Sequence, residues 1–389
     1  MIDRTAKEAL LRLASQFPVV GITGPRQSGK STLAKMVFPE KKYVTLDDRA
    51  MREVAKANPM DFLLAFPNGA IIDEVQKVPE LFDAIKYYVD NETFMPGKYI
   101  LTGSNQFNLK RNMTDSLAGR VAFIKLMPFS LGELRDVDML GKNAYETILK
   151  GGYPPLYDKE KHYLPEDWFA NYIDTYLDLD VEKQINFSNL SEFKKFIQIC
   201  AIYSGQMVSM DSIARSVGVS APTIKQWLSI LESSFIIHFL YPDSNNLGKT
   251  LVKTPKLYFT DSGLLCHLLR IETVEELLLS QYKGAIVETF AVNEMLKTRL
   301  NKGKKANLTF FRDSKGFEID AIADWKHSFA IEIKSTLEAD KKLSNNLHQY
   351  LNLCKSDECK GAVFYLGELT CRINGIDYVS WRDWPDFEE

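Results

Sequence analysis

The segment GPRQSGKST at residues 24–32 decides how the N-terminal part of this chain folds. It fits the pattern G-x-x-x-x-G-K-[ST], in which glycines let the backbone curl so that its N–H groups point inward around phosphate oxygens. The apolar run PVVGITG (18–24) predicts a buried strand before it, and KSTLAKMVF (30–38) predicts a helix after it. The sequence therefore predicts a phosphate-binding loop that joins a strand to a helix.

Two side chains of this loop have separate predicted roles. The ammonium of Lys30 reaches the β and γ phosphates of a nucleoside triphosphate, and the hydroxyl of Ser31 binds a magnesium ion. The positive end of the following helix adds to the attraction for phosphate. The predicted nucleotide-binding residues are Gly24, Pro25, Arg26, Gln27, Ser28, Gly29, Lys30, Ser31, Thr32, Ser104 and Asn105.

Polar residues at the ends of two further predicted strands complete the expected site. AIIDE (70–74) delivers Asp73 to the carboxyl edge of the sheet, where it holds magnesium, and Glu74 beside it polarises the attacking water. LTGSN (101–105) ends another strand, so Ser104 or Asn105 can orient water against the γ phosphate. The alternatives are an acidic helix cap at Asp73 and an ordinary turn at Ser104.

The remaining N-terminal segments alternate between strands and helices. KYVTLDD (42–48), KYILTGSN (98–105) and VAFIKL (121–126) read as strands, and PELFDAIKYYVDN (79–91) reads as a helix. This alternation predicts an α/β fold with a parallel sheet and helices on both faces. After residue 130 the alternation stops, and a mostly helical stretch follows that is interrupted by the GGYPP loop (151–155).

The segment 207–262 predicts a winged helix, because two short helices separated by a turn are followed by two strands. The second helix carries side chains that can reach phosphates or base edges of DNA, namely Thr223, Lys225, Gln226 and Ser229. A nearby set of lysines offers a wing contact to phosphates: Lys249, Lys253 and Lys256. The alternatives are a winged helix that binds only protein and a basic stretch that is only solvated.

A second group of charged residues follows in the C-terminal part of the chain. Asp320 lies in one predicted strand, and the spacing of FAIEIKST (329–336) puts Glu332 and Lys334 on one face of the next strand. Two carboxylates and a lysine suit a magnesium-dependent phosphodiesterase, with Glu288 on the preceding helix as a third carboxylate. Glu318 is a competing ligand, and surface charge pairs on a half-exposed sheet are the alternative explanation.

The composition sets limits on these interpretations. The chain has 389 residues and a net charge of -3, so any DNA contact must come from local patches. It lacks an apolar run of about 18 residues and a signal-peptide pattern, and we expect a cytoplasmic protein without a membrane partner. Five scattered cysteines make a disulfide framework unexpected.

The order GPRQSGKST, AIIDE, LTGSN, SLAGR resembles that of the AAA+ ATPases. More narrowly, the chain is similar to a bacterial and archaeal group with an N-terminal AAA domain and a C-terminal domain of unassigned function. The resemblance implies ATP and Mg²⁺ as ligands and a homo-oligomer such as a ring, with Arg120 acting on the nucleotide of the neighbouring subunit. The chain departs from the AAA+ pattern in having no clear second sensor arginine within 131–206.

The C-terminal residues resemble the core of the PD-(D/E)xK nucleases, with Glu288 on the first helix, Asp320 after it and then Glu332-x-Lys334. The resemblance implies a nuclease-like fold and allows a second Mg²⁺ ion at Glu288, Asp320 and Glu332. The predicted domains are a P-loop ATPase core at 1–130, a helical lid at 131–206, a winged helix at 207–262 and the nuclease-like domain at 263–389.

Two functions remain open from the sequence. In the first, ATP hydrolysis drives conformational change in an oligomer that acts on DNA through the winged helix and the nuclease-like domain. In the second, the ATPase is a nucleotide-dependent switch, and its C-terminal domain is an inactive docking module for protein or DNA. The predicted catalytic residues are Lys30, Glu74, Arg120, Asp320, Glu332 and Lys334.

Overall fold

A computed structural model describes residues 2–91, 93–104, 116–177, 190–243, 252–354 and 359–387 of the chain. The chain divides into two compact units. The N-terminal unit contains residues 1–129 with 233–235 and 297–305, and the C-terminal unit contains residues 130–232, 236–296 and 306–389. No helix among the described residues is both long enough and apolar enough to cross a membrane.

The N-terminal unit is built around a parallel sheet of strand order β2-β3-β4-β1-β5. The predicted alternation of strands and helices around a parallel sheet is confirmed. The strands are β1 (Val19–Thr23), β2 (Lys42–Thr45), β3 (Ala70–Asp73), β4 (Tyr99–Gly103) and β5 (Val121–Lys125). The helices are α1 (Ala6–Ala14), α2 (Lys30–Val37), α3 (Arg49–Ala57), α4 (Pro59–Leu64) and α5 (Glu80–Asn91).

Successive side chains of these strands face opposite sides of the sheet, and each side carries its own apolar core. Val20 and Ile22 of β1 pack with residues of α1 and α2. Val19 of the same strand packs with residues of α4 and α5. Because both faces are covered, β1, β3 and β4 are buried along their whole length, whereas the edge strand β2 begins with two exposed residues.

The C-terminal unit begins with short helices. They are α6 (Leu131–Arg135), α7 (Ala144–Lys150), α8 (Pro165–Tyr176) and α9 (Leu190–Ile202). The predicted GGYPP loop follows α7 and is fixed by Asp261, whose carboxylate accepts from the backbone N–H of Gly152 at 2.7 Å. The same carboxylate caps the start of α12 (Ser262–Leu268) by accepting from Leu264 N–H at 3.0 Å. The loop is thus a structural junction between two helices.

The segment predicted as a winged helix contains two helices and a small antiparallel sheet of order β6-β8-β7. Its elements are β6 (Gln206–Met207), α10 (Met210–Val217), α11 (Ala221–Ser233), β7 (Ile237–Leu240) and β8 (Lys256–Phe259). Trp227, Leu228 and Leu231 of α11 are buried, whereas Lys225 and Ser229 are exposed. The helix therefore keeps one polar face in solvent.

The last part of the C-terminal unit is a mixed sheet of order β13-β14-β12-β11-β10-β9. Its strands are β9 (Leu308–Arg312), β10 (Glu318–Asp324), β11 (Ser328–Lys334), β12 (Cys359–Tyr365), β13 (Cys371–Ile373) and β14 (Ile376–Ser380). The helices are α13 (Val274–Leu279), α14 (Lys283–Asn301) and α15 (Asn345–Cys354). β10 and β11 pair antiparallel, so Asp320 and Glu332 come from neighbouring strands.

Candidate functional site: a P-loop and a separate carboxylate–lysine cluster

The predicted phosphate-binding loop curls between β1 and α2. Gly29 stands directly before α2 with a φ of 90°, in the left-handed region where glycine is unstrained. The ammonium of Lys30 is buried and donates to the carbonyl oxygens of Gly24 and Pro25, at 3.0 and 2.7 Å. The hydroxyl oxygen of Ser28 is also buried, and it has no hydrogen-bond partner among the residues that the structure describes. The loop thus combines a lysine, a free hydroxyl and a helix N-terminus.

The other loop residues contribute less. Pro25 is buried, Arg26 is half-buried, and Gln27 and Thr32 are exposed. Gln27 adopts a positive φ of 59°, which helps the chain to turn inside the loop.

Asp73, at the end of β3, is surrounded by hydroxyl groups. Ser31 Oγ lies 2.9 Å from both Oδ1 and Oδ2 of this carboxylate, which agrees with the prediction that the two residues share one site. Thr102 of β4 donates to Oδ1, and Tyr43 of β2 donates to Oδ2 at 2.6 Å. Sequence reasoning missed Tyr43 and Thr102.

Glu74 follows β3 in a left-handed conformation, with a φ of 54°. Its carboxylate accepts hydrogen bonds from Gln76 and, at 3.3 Å, from Ser104. Burial raises the pKa of Glu74, while the nearby Lys30 ammonium opposes that rise. Ser104 therefore lies beside Glu74 at the end of β4, as predicted. Asn105 lies outside the described residues.

Arg120 forms an ion pair inside its own chain. Its Nη2 lies 2.9 Å from Oδ2 of Asp90, its Nε also contacts that carboxylate, and Nη1 donates to the carbonyl of Ala118. The guanidinium is about one-third exposed. Most of the helix predicted over 109–120 lies outside the described residues, which resume at 116.

These residues fit a magnesium nucleotide. Hydroxyl and carboxylate oxygens are the ligands that Mg²⁺ prefers, and Ser31 and Asp73 bring them together. The unpartnered hydroxyl of Ser28 and the ammonium of Lys30 lie in the same loop, where they suit phosphate oxygens.

The second group of predicted residues forms a cluster in the C-terminal unit. Asp320 accepts from the backbone N–H of Ile333 at 2.8 Å, so it lies beside the strand that carries Glu332. Glu332 is almost fully buried and pairs with Lys334; Asn346 of α15 also approaches it, at 3.4 Å. Glu288 of α14 interacts electrostatically with Asp320 and belongs to the same cluster.

Lys256 brings an unexpected positive charge into this cluster. Its ammonium lies 2.7 Å from Glu288 and 2.5 Å from Glu318, and its side chain is only 3% exposed. Tyr258 of the same strand donates to Glu288 at 2.6 Å. The prediction that Lys256 contacts phosphates in a wing is therefore wrong, because β8 carries the side chain inward. Lys249 lies outside the described residues.

The expected convergence of Glu288, Asp320 and Glu332 on one metal ion is not observed. Within the described ranges, no three His, Cys, Asp or Glu side chains are grouped closely enough to hold a metal ion. Lys256 and Lys334 take up the carboxylate oxygens that a cation would need. This cluster does not fit a second Mg²⁺ ion in this arrangement.

The buried carboxylates of the cluster are difficult to ionise. Burial raises the pKa of Glu288 to about 7, and Lys256 limits the rise. Burial and the neighbouring Asp320 raise the pKa of Glu332 to about 7. Burial also raises the pKa of Asp320, which Lys334 and Lys256 oppose. The ammonium groups of Lys256 and Lys334 are the counter-charges that limit these upward pKa shifts.

Comparison with protein-family models assigns three segments of the chain. Residues 16–135 match an AAA domain, residues 141–275 match a domain of unknown function (DUF8612), and residues 283–384 match another domain of unknown function (DUF4143). The second of these segments extends across the predicted lid and the predicted winged helix.

Several proteins are similar to this chain. Uncharacterized protein Rv2008c of Mycobacterium tuberculosis is 31% identical over 340 residues, which cover 86% of this chain and 75% of that protein. Uncharacterized protein Mb2031c of Mycobacterium bovis matches to the same extent. Among solved structures, the Walker-type ATPase PABY2304 of Pyrococcus abyssi has a TM-score of 0.44 and 18% identity, covering 69% of this chain and 96% of that chain.

The resemblance to AAA ATPases is confirmed for the N-terminal domain. The nuclease-like nature of the C-terminal domain stays a prediction. The AAA match spans the P-loop, Asp73, Glu74, Ser104 and Arg120. This chain belongs to the family of the mycobacterial proteins Rv2008c and Mb2031c, and its N-terminal domain is a P-loop ATPase domain of the AAA type.

Proposed function

We propose that this protein hydrolyses ATP with Mg²⁺ at the P-loop and that the hydrolysis drives a conformational change in an oligomer acting on DNA. The observation that supports the ATPase part most directly is the joint placement of Ser31, Asp73, Glu74 and Ser104. They come from the start of α2, the end of β3 and the end of β4, and hydrogen bonds join Ser31 to Asp73 and Ser104 to Glu74.

The side chains have distinct tasks in this proposal. Lys30 exchanges its backbone carbonyl partners for β and γ phosphate oxygens and neutralises part of their charge. Ser31 and Asp73 hold Mg²⁺, which when bound stabilises negative charge on the phosphoryl oxygens. Glu74 accepts a hydrogen bond from the attacking water and orients it, and Ser104 fixes the carboxylate that does so.

The test measures ATP turnover and nucleotide binding in the same preparations. We expect Lys30→Ala to abolish both, because the phosphate charge loses its counter-charge. Glu74→Gln keeps a side chain of the same shape and should bind ATP while turnover falls by about 100-fold or more. Turnover at the wild-type rate in either folded variant contradicts the assignment of this site.

The DNA part of the proposal rests on the exposed face of α11. Lys225, Gln226 and Ser229 are exposed there, and Thr223 lies at the start of the same helix. Helices of this kind place such side chains against phosphates and base edges. The net charge of -3 means that this local face must supply the attraction.

DNA binding is tested by fluorescence anisotropy with a short labelled duplex at several salt concentrations. If α11 contacts phosphates, Lys225→Ala should weaken binding and make the slope of log K against log salt shallower by about 1. Lys253 is also exposed and lies in the predicted wing, so the Lys253→Ala variant shows whether that segment contacts DNA as well. Binding that is absent at every salt concentration removes DNA from the proposal.

A second candidate function is a nucleotide-dependent switch with a docking module. The pairing of Lys256 with Glu288 favours it, because this lysine neutralises a carboxylate that a nuclease would use to hold a metal ion. DNA cleavage by the wild type, lost in Asp320→Ala and in Lys334→Ala, would identify the cluster as a nuclease site. Intact DNA after prolonged incubation with Mg²⁺ or Mn²⁺ supports the docking module.

A further inference from the structure

Tyr43 lies beside the P-loop site although it is on the edge strand of the sheet. β2 pairs with β3 so that Thr45 is level with Asp73, and Tyr43, two residues earlier, faces the same side. Its long side chain brings the phenol to 2.6 Å from Oδ2 of Asp73. On the opposite neighbour, β4, Thr102 donates to Oδ1 of the same carboxylate.

The tyrosine ring is held in this position by a second contact. The ammonium of Lys35, on α2, lies 3.5 Å from the centre of the Tyr43 ring. Tyr43 is 36% exposed, so solvent is within reach of this side chain on the edge strand. Here the strand register and Lys35 together direct the hydroxyl to Asp73.

We propose that Tyr43, acting with Thr102, is a positioning residue for the magnesium ion: the two hydroxyls hold the oxygens of Asp73 so that the carboxylate meets the ion in one orientation. This inference rests on the proposed ATPase function. It assigns no contact between Tyr43 and the nucleotide.

The hydrogen bonds around Asp73 explain why such positioning is needed. Ser31 donates its single hydroxyl proton to Asp73 from 2.9 Å, and its oxygen keeps lone pairs that an ion can use. One proton cannot fix both carboxylate oxygens, and Tyr43 and Thr102 supply one further donor to each of them.

The experiment titrates Mg²⁺ against binding of a fluorescent ATP analogue, which requires no hydrolysis. We expect Tyr43→Phe to raise the Mg²⁺ concentration for half-maximal binding by about tenfold, as is typical when a residue that orients a metal ligand is removed. Affinity for the analogue in EDTA should stay at the wild-type value, because Phe keeps the ring under Lys35. Thr102→Val should shift the Mg²⁺ midpoint in the same direction.

Tyr87→Phe is the matched control, since it removes a phenol that is 55% exposed on α5. An unchanged Mg²⁺ midpoint in Tyr43→Phe overturns the inference, and so does an equal loss of affinity with EDTA and with Mg²⁺, which indicates general distortion. If the wild type binds the analogue but does not hydrolyse ATP, the proposed function fails instead, and the Mg²⁺ midpoint still decides the role of Tyr43.

Discussion

The ammonium group of Lys256 is buried, and burial disfavours its charged form. Burial lowers the pKa of this ammonium. The carboxylates of Glu288 and Glu318 raise the pKa by more than burial lowers it, so the net shift is upward. A raised lysine pKa contributes stability that is present at neutral pH and lost only when the pH rises through the folded-state value. The ion pair between Lys256 and Glu288 therefore stabilises the folded C-terminal unit where Glu288 is ionised, and it weakens as the pH falls through about 7.

Replacing Lys256 by Met should destabilise the C-terminal unit by about 3 kcal/mol, because it leaves Glu288 without its buried counter-charge, whereas Glu318 keeps its ion pair with Arg312. The loss should be smaller at pH 5 than at pH 8. Glu288 has a pKa raised to about 7, so it takes up a proton on acidification and no longer needs a cation. Urea unfolding followed by tryptophan fluorescence at both pH values measures the difference.

The double variant Lys256→Met with Glu288→Gln provides the control. Removing both charges should recover part of the lost stability, since no isolated charge remains at Glu288. A loss in Lys256→Met that is equal at pH 5 and pH 8 would show that the effect comes from packing and not from charge.

Some side chains of the two sites could be found from the sequence, and others could not. Lys30, Ser31, Asp73 and Glu74 follow a linear pattern, so their proximity was predictable. Tyr43 and Thr102 reach Asp73 through strand register, and no spacing along the chain expresses that register. Lys256 was misassigned for a similar reason, because its partner Glu288 lies on a helix 32 residues later.

At the scale of elements, the GGYPP loop depends on the close approach of the backbone at Gly151 to the side chain of Asp261. Gly151 has a φ of 68°, and a Cβ atom at this position would lie 2.2 Å from Oδ1 of Asp261. Asp261 in turn holds Gly152 N–H and caps α12. The sequence predicted a loop here, but it could not show that the glycine makes room for a helix cap.

Gly151→Ala should therefore lower the melting temperature much more than Gly218→Ala. Both glycines have positive φ values, 68° and 93°, but a Cβ atom at Gly218 meets nothing within 4 Å. Gly218→Ala should reduce stability by about 1 kcal/mol, the cost of a left-handed backbone conformation in a residue with a Cβ atom. Gly151→Ala carries the same cost and also displaces the Asp261 carboxylate. Scanning calorimetry on both variants checks this, and equal shifts would refute the role of Asp261.

The N-terminal sheet was predictable because its strands are apolar on both faces and end in polar residues. β1, β3 and β4 lie within one or two residues of their predicted bounds. The C-terminal strands were predictable as elements, but the chemistry of their charged residues was not. Whether carboxylates gather around a metal ion or a lysine depends on packing between distant segments, as Lys256 and Glu288 show.

At the scale of the whole molecule, the proposed oligomer gives Arg120 two alternative partners. In the chain it pairs with Asp90, whereas in an assembly it can stabilise charge on the neighbouring subunit's nucleotide. The ion pair is about one-third exposed on both sides, so breaking it costs little. The salt bridge therefore does not argue against a role between subunits.

Mixing two inactive variants tests this role. Arg120→Ala should bind ATP but hydrolyse it at least about 1,000-fold more slowly, and Lys30→Ala should not bind it. If Arg120 acts on the neighbouring subunit, an equimolar mixture should recover about a quarter of the wild-type rate, since about a quarter of random neighbour pairs combine an intact loop with an intact Arg120. A mixture of Lys30→Ala with Glu74→Gln should recover nothing, because both defects lie in the hydrolysing subunit itself. If the first mixture is as inactive as the second, Arg120 does not act between subunits.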